Sequence, residues 1–161
     1  SRGSYSYDHL ILAPGSVTDF HGFDQNVESI HKLDFLEDAK RIHSAFKDYM
    51  RRAEEPLALI VGGGYTGFEI ACNLRFAGRN FLPEPRLVVV DVAKEVLPFM
   101  EDWVRDYMTA KAEGLSIEFV TGTAVAEFSG ADVTLSNGEF YEDVFLCWLA
   151  GTKMATDNIQ G

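Results

Sequence analysis

The chain has 161 residues, enough for one domain with a buried core, and its 47% hydrophobic and 24% charged composition is globular, not disordered. A formal net charge of −11 weighs against nucleic acid or an anionic membrane surface as a partner. It does not exclude a nucleotide, because backbone amides at a helix end can hold phosphates without a basic surface.

Cys72 and Cys147 each sit in an apolar run with no CxxC spacing, which reads as two buried free thiols, neither a dithiol centre nor a zinc knuckle. His9, His21, His31 and His43 form no HExxH or HxxH pattern, so no metal site is expected. No leader-like segment and no apolar run near 18 residues is visible, and a soluble piece on the cytoplasmic side is the expectation. Residues 1–4 are left out of the fold argument.

In chain order, Leu10-Ile11-Leu12-Ala13 reads as a buried strand running into a Pro14-Gly15 turn. Residues 17–32 show no sustained period and read as a connecting loop. Phe35, Ala39, Ile42, Phe46 and Tyr49 or Met50 then recur at three or four, which predicts an amphipathic helix of about four turns. Leu57–Val61 is apolar throughout and ends in three glycines, as a strand buried on both faces of a parallel sheet would. Ile70, Ala71, Leu74 and Ala77 predict a helix closed by Gly78. Pro83 and Pro85 mark residues 79–86 as an exposed excursion.

A second apolar strand, Leu87-Val88-Val89-Val90, ends in Asp91, and residues 100–112 form a further helix with Trp103, Tyr107 and Met108 on one side. Short strands are predicted at 116–120, 123–128, 132–135 and 139–141, with Ser136-Asn137-Gly138 as a hairpin turn. The apolar stretch 144–149 forms a last central strand and ends at Ala150-Gly151. The order predicts an α/β, Rossmann-like domain with a central parallel sheet and a small antiparallel β-meander, the meander replacing one crossover of a doubly wound sheet. Trp103, Phe119 and Trp148 are expected in the core.

The chemistry concentrates in IVGGGYTGFEIACNL, residues 60–74. It carries GxGxxG as Gly62, Gly64 and Gly67, with a buried strand before it and a helix after it. Alone the pattern is weak; its context raises it. Gly62 allows the tight turn, Gly64 lets a pyrophosphate approach the backbone, and Gly67 lets helix and strand lie close. Asp91, with Val92 beside it, closes the next strand at about the spacing, roughly 20 residues, that the dinucleotide fingerprint requires. A carboxylate there suits a ribose 2′-OH and repels a 2′-phosphate, and no arginine follows it closely, so NADH is favoured over NADPH, which Lys94 leaves open; a solvated strand-end acid is the alternative. Glu69 is placed in the helix's first turn, either stabilising the dipole or acting on the ligand. Tyr65 is either an exposed turn residue or a lid.

GGGYTGFE, VVVDVAKEVLP and the closing CWLAGT resemble the NAD-binding domain of the two-dinucleotide flavoprotein reductases, the pyridine nucleotide-disulfide oxidoreductase superfamily. Within it, VTDFHGFDQ and IHKLDFLEDAKRIHSAF look most like type II NADH dehydrogenase, the single-subunit NADH:quinone oxidoreductase. The likeness covers residues 7–152. It implies that NAD(H) binds here, passing hydride to an FAD held mainly by another domain of the same chain, with quinone as acceptor in a peripheral membrane protein. Gly62, Gly63, Gly64, Thr66 and Gly67 match the pyrophosphate loop and Asp91 the ribose-binding acid. Val125 lies near the adenine side, and Ala150 and Gly151 match the closing loop beneath the nicotinamide. Glu69 matches the glutamate near the nicotinamide–flavin edge, the catalytic candidate. Tyr65 stands where type II dehydrogenases carry proline, as an aromatic does in the disulfide-reductase branch.

The same resemblance makes residues 1–20 a strand and linker of an FAD-binding domain, 21–152 the NAD(H)-binding domain, and 153–161 the start of a return linker. An exposed edge in such a piece allows a homodimer. The competing readings are another flavin reductase with a protein or sulfur-compound acceptor, a redox-inert NADH-sensing domain, and an interaction domain with a vestigial loop.

Overall fold

The computed structural model describes residues 3–23 and 29–156. Its main sheet is built from runs with almost no polar side chain: β3 (Leu57–Val61), β4 (Arg86–Asp91) and β9 (Phe145–Trp148). Strands of this kind bury both faces, so they sit at the centre of the sheet. The edges are β2 (Ile30–His31) and β5 (Ile117–Thr121), giving a parallel five-stranded order β2-β9-β3-β4-β5. Alternation along each strand divides the core in two. Ala58, Ile60, Leu87, Val89, Phe145 and Cys147 face the helices, while Leu59, Val61, Val88, Val90, Leu146 and Trp148 face the opposite side.

The helical side holds α1 (Leu36–Arg52), α2 (Tyr65–Gly78) and α3 (Asp102–Gly114). Asp38, buried near the start of α1, accepts the backbone N–H groups of Asp34 (2.9 Å) and Phe35 (3.0 Å) and pairs with Arg41. Burial pushes its carboxyl pKa up, but those hydrogen bonds outweigh it and the net shift is down. The opposite side is covered by an antiparallel meander of β6 (Val125–Ser129), β7 (Asp132–Leu135) and β8 (Phe140–Tyr141). Finally, β1 (Ser16–Thr18) pairs antiparallel with β10 (Thr152–Met154), Val17 opposite Lys153.

Three expectations need correction. Residues 10–13 are not a strand: Leu10, Ile11 and Leu12 are exposed, Ile11 by 90%. Apolar composition favours burial, but a strand also needs an edge to satisfy its amides, and among the described residues none lies beside them. Residues 17–32 are not merely a loop, since they contain most of β1 and all of β2. The winding is as expected: the steps β3 to β4 to β5 run in one direction and put α2 and α3 on one face, and the chain returns to β9 through the meander on the other. Trp103 is not core: it is 72% exposed, and Tyr107 one turn on is exposed with it. Ala112 and Met108, one turn apart on the neighbouring face of α3, meet the sheet instead. Phe119 and Trp148 do pack against the core.

Candidate nucleotide-binding site

The carboxyl ends of β3, β4 and β9 lie side by side, and the loop from β3 into α2 crosses them. Three glycines in that loop have separate physical reasons. Gly62 has φ +109°, and a Cβ there would stand 2.8 Å from the Leu149 carbonyl and the Ala150 nitrogen. Only glycine lets the exit of β9 lie so close. A Cβ on Gly67 would fall 1.8 Å from the Gly62 carbonyl oxygen, so glycine is what allows α2 to pack onto the end of β3. Gly64, at the start of α2, has no atom within 4 Å of where its Cβ would be. The space in front of it is open, as the approach of a pyrophosphate to the backbone requires.

The N–H groups of Tyr65, Thr66 and Gly67 have no preceding turn to bond, and no side chain caps the helix at Gly64. These amides and the positive end of the helix dipole could hold an anion. No acidic side chain occupies this first turn. Glu69 therefore lies in the second turn, not the first as its spacing had predicted, because α2 starts at Tyr65. The dipole fades over one turn, which removes most of the stabilising role considered for it. Its side chain is exposed and does not line the cavity described next.

Asp91 ends β4 with both carboxylate oxygens engaged. Oδ2 accepts the Gly63 N–H (2.5 Å) and Oδ1 the Ala93 N–H (2.7 Å). The acid thus pins the glycine loop while facing a cavity of about 310 Å³, at the lower end of the range for small-molecule sites. Gly62, Val92, Val125 and Ala150 share that wall; Gly63 backs onto the Asp91 side chain. Gly151, with φ +80°, stands beyond the wall, against the ring of His21. Thr66 is exposed on the first turn of α2. Tyr65 points away from the cavity: its hydroxyl donates to the Met100 sulfur (2.8 Å) and its ring meets Phe99 edge-on at 5.9 Å.

The same cavity takes in residues that the sequence did not single out: His21, Phe23, Thr123 and Trp148. Thr123 shares a 2.8 Å hydrogen bond with Ser136, and the Trp148 indole donates to the Asp19 carbonyl (2.9 Å). No local pattern marks these positions; they meet only because the loop after β1 and the turn after β5 fold onto the ends of β4 and β9. Burial pushes the Cys147 thiol up to about 12 and raises Cys72 as well, so neither supplies a thiolate near neutral pH. Cys72 is half-buried, not buried as expected. Among the described residues no helix is long and apolar enough to cross a membrane.

Over residues 1–161 the sequence matches the pyridine nucleotide-disulphide oxidoreductases. The chain belongs to that family. Its members are NAD(P)- and FAD-dependent oxidoreductases, and the open glycine loop and anion-binding helix end found here fit a dinucleotide. The chain is 28% identical to the demethylphylloquinone reductase NdbB of a Synechocystis species over 94% of its own length and 38% of that protein. It is 27% identical to the type II NADH:quinone oxidoreductase of Staphylococcus haemolyticus, covering 100% of this chain and 45% of that one. Terpredoxin reductase from a Pseudomonas species is 32% identical over 63% of this chain and 24% of its own length. Among solved structures, NDH2 of Plasmodium falciparum in complex with NADH superposes with a TM-score of 0.75, covering 88% of this chain and 34% of that one, at 16% identity. That last likeness is one of fold. The chain thus spans less than half the length of each of these proteins.

Proposed function

We propose that this chain is the NADH-binding part of an FAD-dependent NADH dehydrogenase that delivers electrons to a quinone. Asp91 carries the reading. It is the acid at the carboxyl end of the strand after the glycine loop, it faces the cavity, and no arginine follows it closely in Val92-Ala93-Lys94-Glu95, where Lys94 does not line the cavity. The relatives named as quinone reductases support the acceptor. A second reading is favoured by terpredoxin reductase, whose similarity leaves a protein acceptor as the alternative. The longer relatives support an FAD domain elsewhere in the whole protein, with residues 1–20 and 153–161 as its connections.

In this reading each residue has a limited task. The first-turn amides of α2 hold the pyrophosphate, and the open face of Gly64 lets it come close. Either Asp91 oxygen has a lone pair left for an adenosine-ribose hydroxyl while it keeps its loop amide. Val92 and Val125 give the adenine an apolar wall, and Ala150 and Gly151 lie under the other half. Bound NADH supplies the hydride and the flavin accepts it; the protein orients the two and excludes water. Glu69, exposed on the open side of α2, belongs to the part of the site that a second domain would complete.

Calorimetric titration of the chain with NADH and NADPH tests the assignment. We expect NADH to bind at least about ten-fold more tightly, and Asp91→Ala to bring that ratio near one. The ratio is the useful quantity. Freeing the Gly63 and Ala93 amides weakens both nucleotides, whereas removing the charge opposite a 2′-phosphate changes only their difference. Equal affinities in the unaltered chain would refute the NADH assignment.

A further inference from the structure

Among the described residues that line the cavity, one carries side-chain polar atoms with no hydrogen bond. Asp91 accepts two amides, Thr123 is bonded to Ser136, and the Trp148 indole N–H is taken by the Asp19 carbonyl. The remaining one is His21. None of the hydrogen bonds among the described residues involves its Nε2 atom.

His21 is held with unusual definition for a loop residue. Its backbone has φ +48°, a left-handed conformation that costs a non-glycine residue energy and is concentrated at functional sites. Asp19 holds it: Oδ1 accepts its backbone N–H at 2.9 Å, and Oδ2 stands 3.6 Å from Nδ1, an electrostatic contact longer than a hydrogen bond. The negative charge of the carboxylate favours the tautomer with its hydrogen on Nδ1, and Nε2 is then an acceptor. The ring leans on Trp148, with centroids 6.4 Å apart, and Nε2 occupies the space above Gly151, only 2.8 Å from where a Cβ would be. A side chain at 151 would displace the imidazole.

Position in the sheet says which part of a ligand this group meets. The strand order places β9 on one side of β3 and β4 on the other. Asp91 sits at the β4 side and the phosphate-binding turn follows β3. A dinucleotide with its adenosine ribose at Asp91 and its phosphates at α2 must lay its other half toward β9, where Trp148, Ala150 and His21 stand. We propose that His21 is a specificity-determining residue for the nicotinamide ring of the dinucleotide, contacting its carboxamide through Nε2, with Asp19 as the residue that positions the imidazole. This rests on the NADH reading above and goes beyond it by assigning a residue outside the glycine fingerprint.

The test compares NADH with ADP-ribose, which shares everything except the nicotinamide ring. Reduced nicotinamide mononucleotide serves as the complementary probe. All three are titrated into the 161-residue chain and into His21→Asn, since asparagine tolerates the left-handed backbone. We expect NADH and the mononucleotide to weaken about five-fold, the worth of roughly one hydrogen bond, with ADP-ribose unchanged within about two-fold. Asp19→Asn keeps an acceptor for the His21 amide but removes the charge at Nδ1, and should shift NADH in the same direction by about two-fold. If His21→Asn weakens ADP-ribose as much as NADH, or neither, the assignment is overturned while the NADH reading stands. If the unaltered chain binds neither NADH nor ADP-ribose, the reading of the site falls and this assignment with it.

Discussion

The glycine loop and the outer surface of the molecule treat the same kind of chain in opposite ways. At three of the glycines between Gly62 and Gly67 the backbone meets a named group that excludes alternatives: the exit of β9 against Gly62, the Asp91 carboxylate on Gly63, the Gly62 carbonyl against Gly67. Elsewhere, large apolar side chains stand in solvent. Tyr5, Tyr7, Leu10, Ile11 and Leu12 do so ahead of β1, and Phe99, Trp103 and Tyr107 do so beside the start of α3. Apolar character expresses a demand for cover. Close contact between two named groups expresses a conformation, and only the second is costly to disturb.

The largest effect should follow from Gly67→Ala. A methyl group 1.8 Å from the Gly62 carbonyl forces α2 off the end of β3, and we expect a loss of about 3–4 kcal/mol with a fall in Tm of roughly 10 °C. NADH affinity should fall with it. Thermal unfolding that leaves Tm within a degree or two would show that the loop is not as tightly determined as its contacts imply.

A smaller effect concerns His31, stacked on Phe145 with ring centroids 4.4 Å apart. Burial, with Arg41 nearby, lowers its pKa from 6.5 to about 4. The unfolded chain then binds the proton more readily throughout the window between those values. Its contribution to stability is present above about pH 6.5 and is lost as the pH falls toward 4, by roughly 3 kcal/mol. His31→Phe keeps the stack and should flatten this part of a stability-against-pH curve measured by urea unfolding. An unchanged slope would assign the acid sensitivity to the carboxylates.

The smallest effect is expected at Trp103. With its side chain largely in solvent, Trp103→Ala should change stability by no more than about 0.5 kcal/mol. A loss of 2 kcal/mol or more in a chemical denaturation experiment would mean the indole is covered in solution, and the contrast between loop and surface would fail there.

Much of the fold was legible because its signals are local. Runs with no polar side chain locate β3, β4 and β9, a three-to-four period locates α1, and Asn137-Gly138 turns the meander. The glycine spacing and Asp91 located the loop and its acid. The errors arose where a local signal had to stand in for a partner. Leu10-Ile11-Leu12-Ala13 has the composition of a strand without an edge to pair with, and the side of α3 carrying Trp103 has the pattern of a core face. Glu69 moved from the first turn to the second through the helix start at Tyr65, a shift of the size by which helix boundaries commonly vary.

Sequence by itself determined the α/β class, the glycine turn between β3 and α2, the acid at the end of β4 and the family, since each depends on residues within a few turns of one another or on spacing along the chain. Tertiary structure alone decided that the meander covers one whole face of the sheet and that Asp91 grips the loop it faces. It alone decided that His21 reaches Gly151 at the cavity's far lip. Those relations are distances between residues remote in the chain, set by how strands order themselves in the sheet, and no period or motif encodes them.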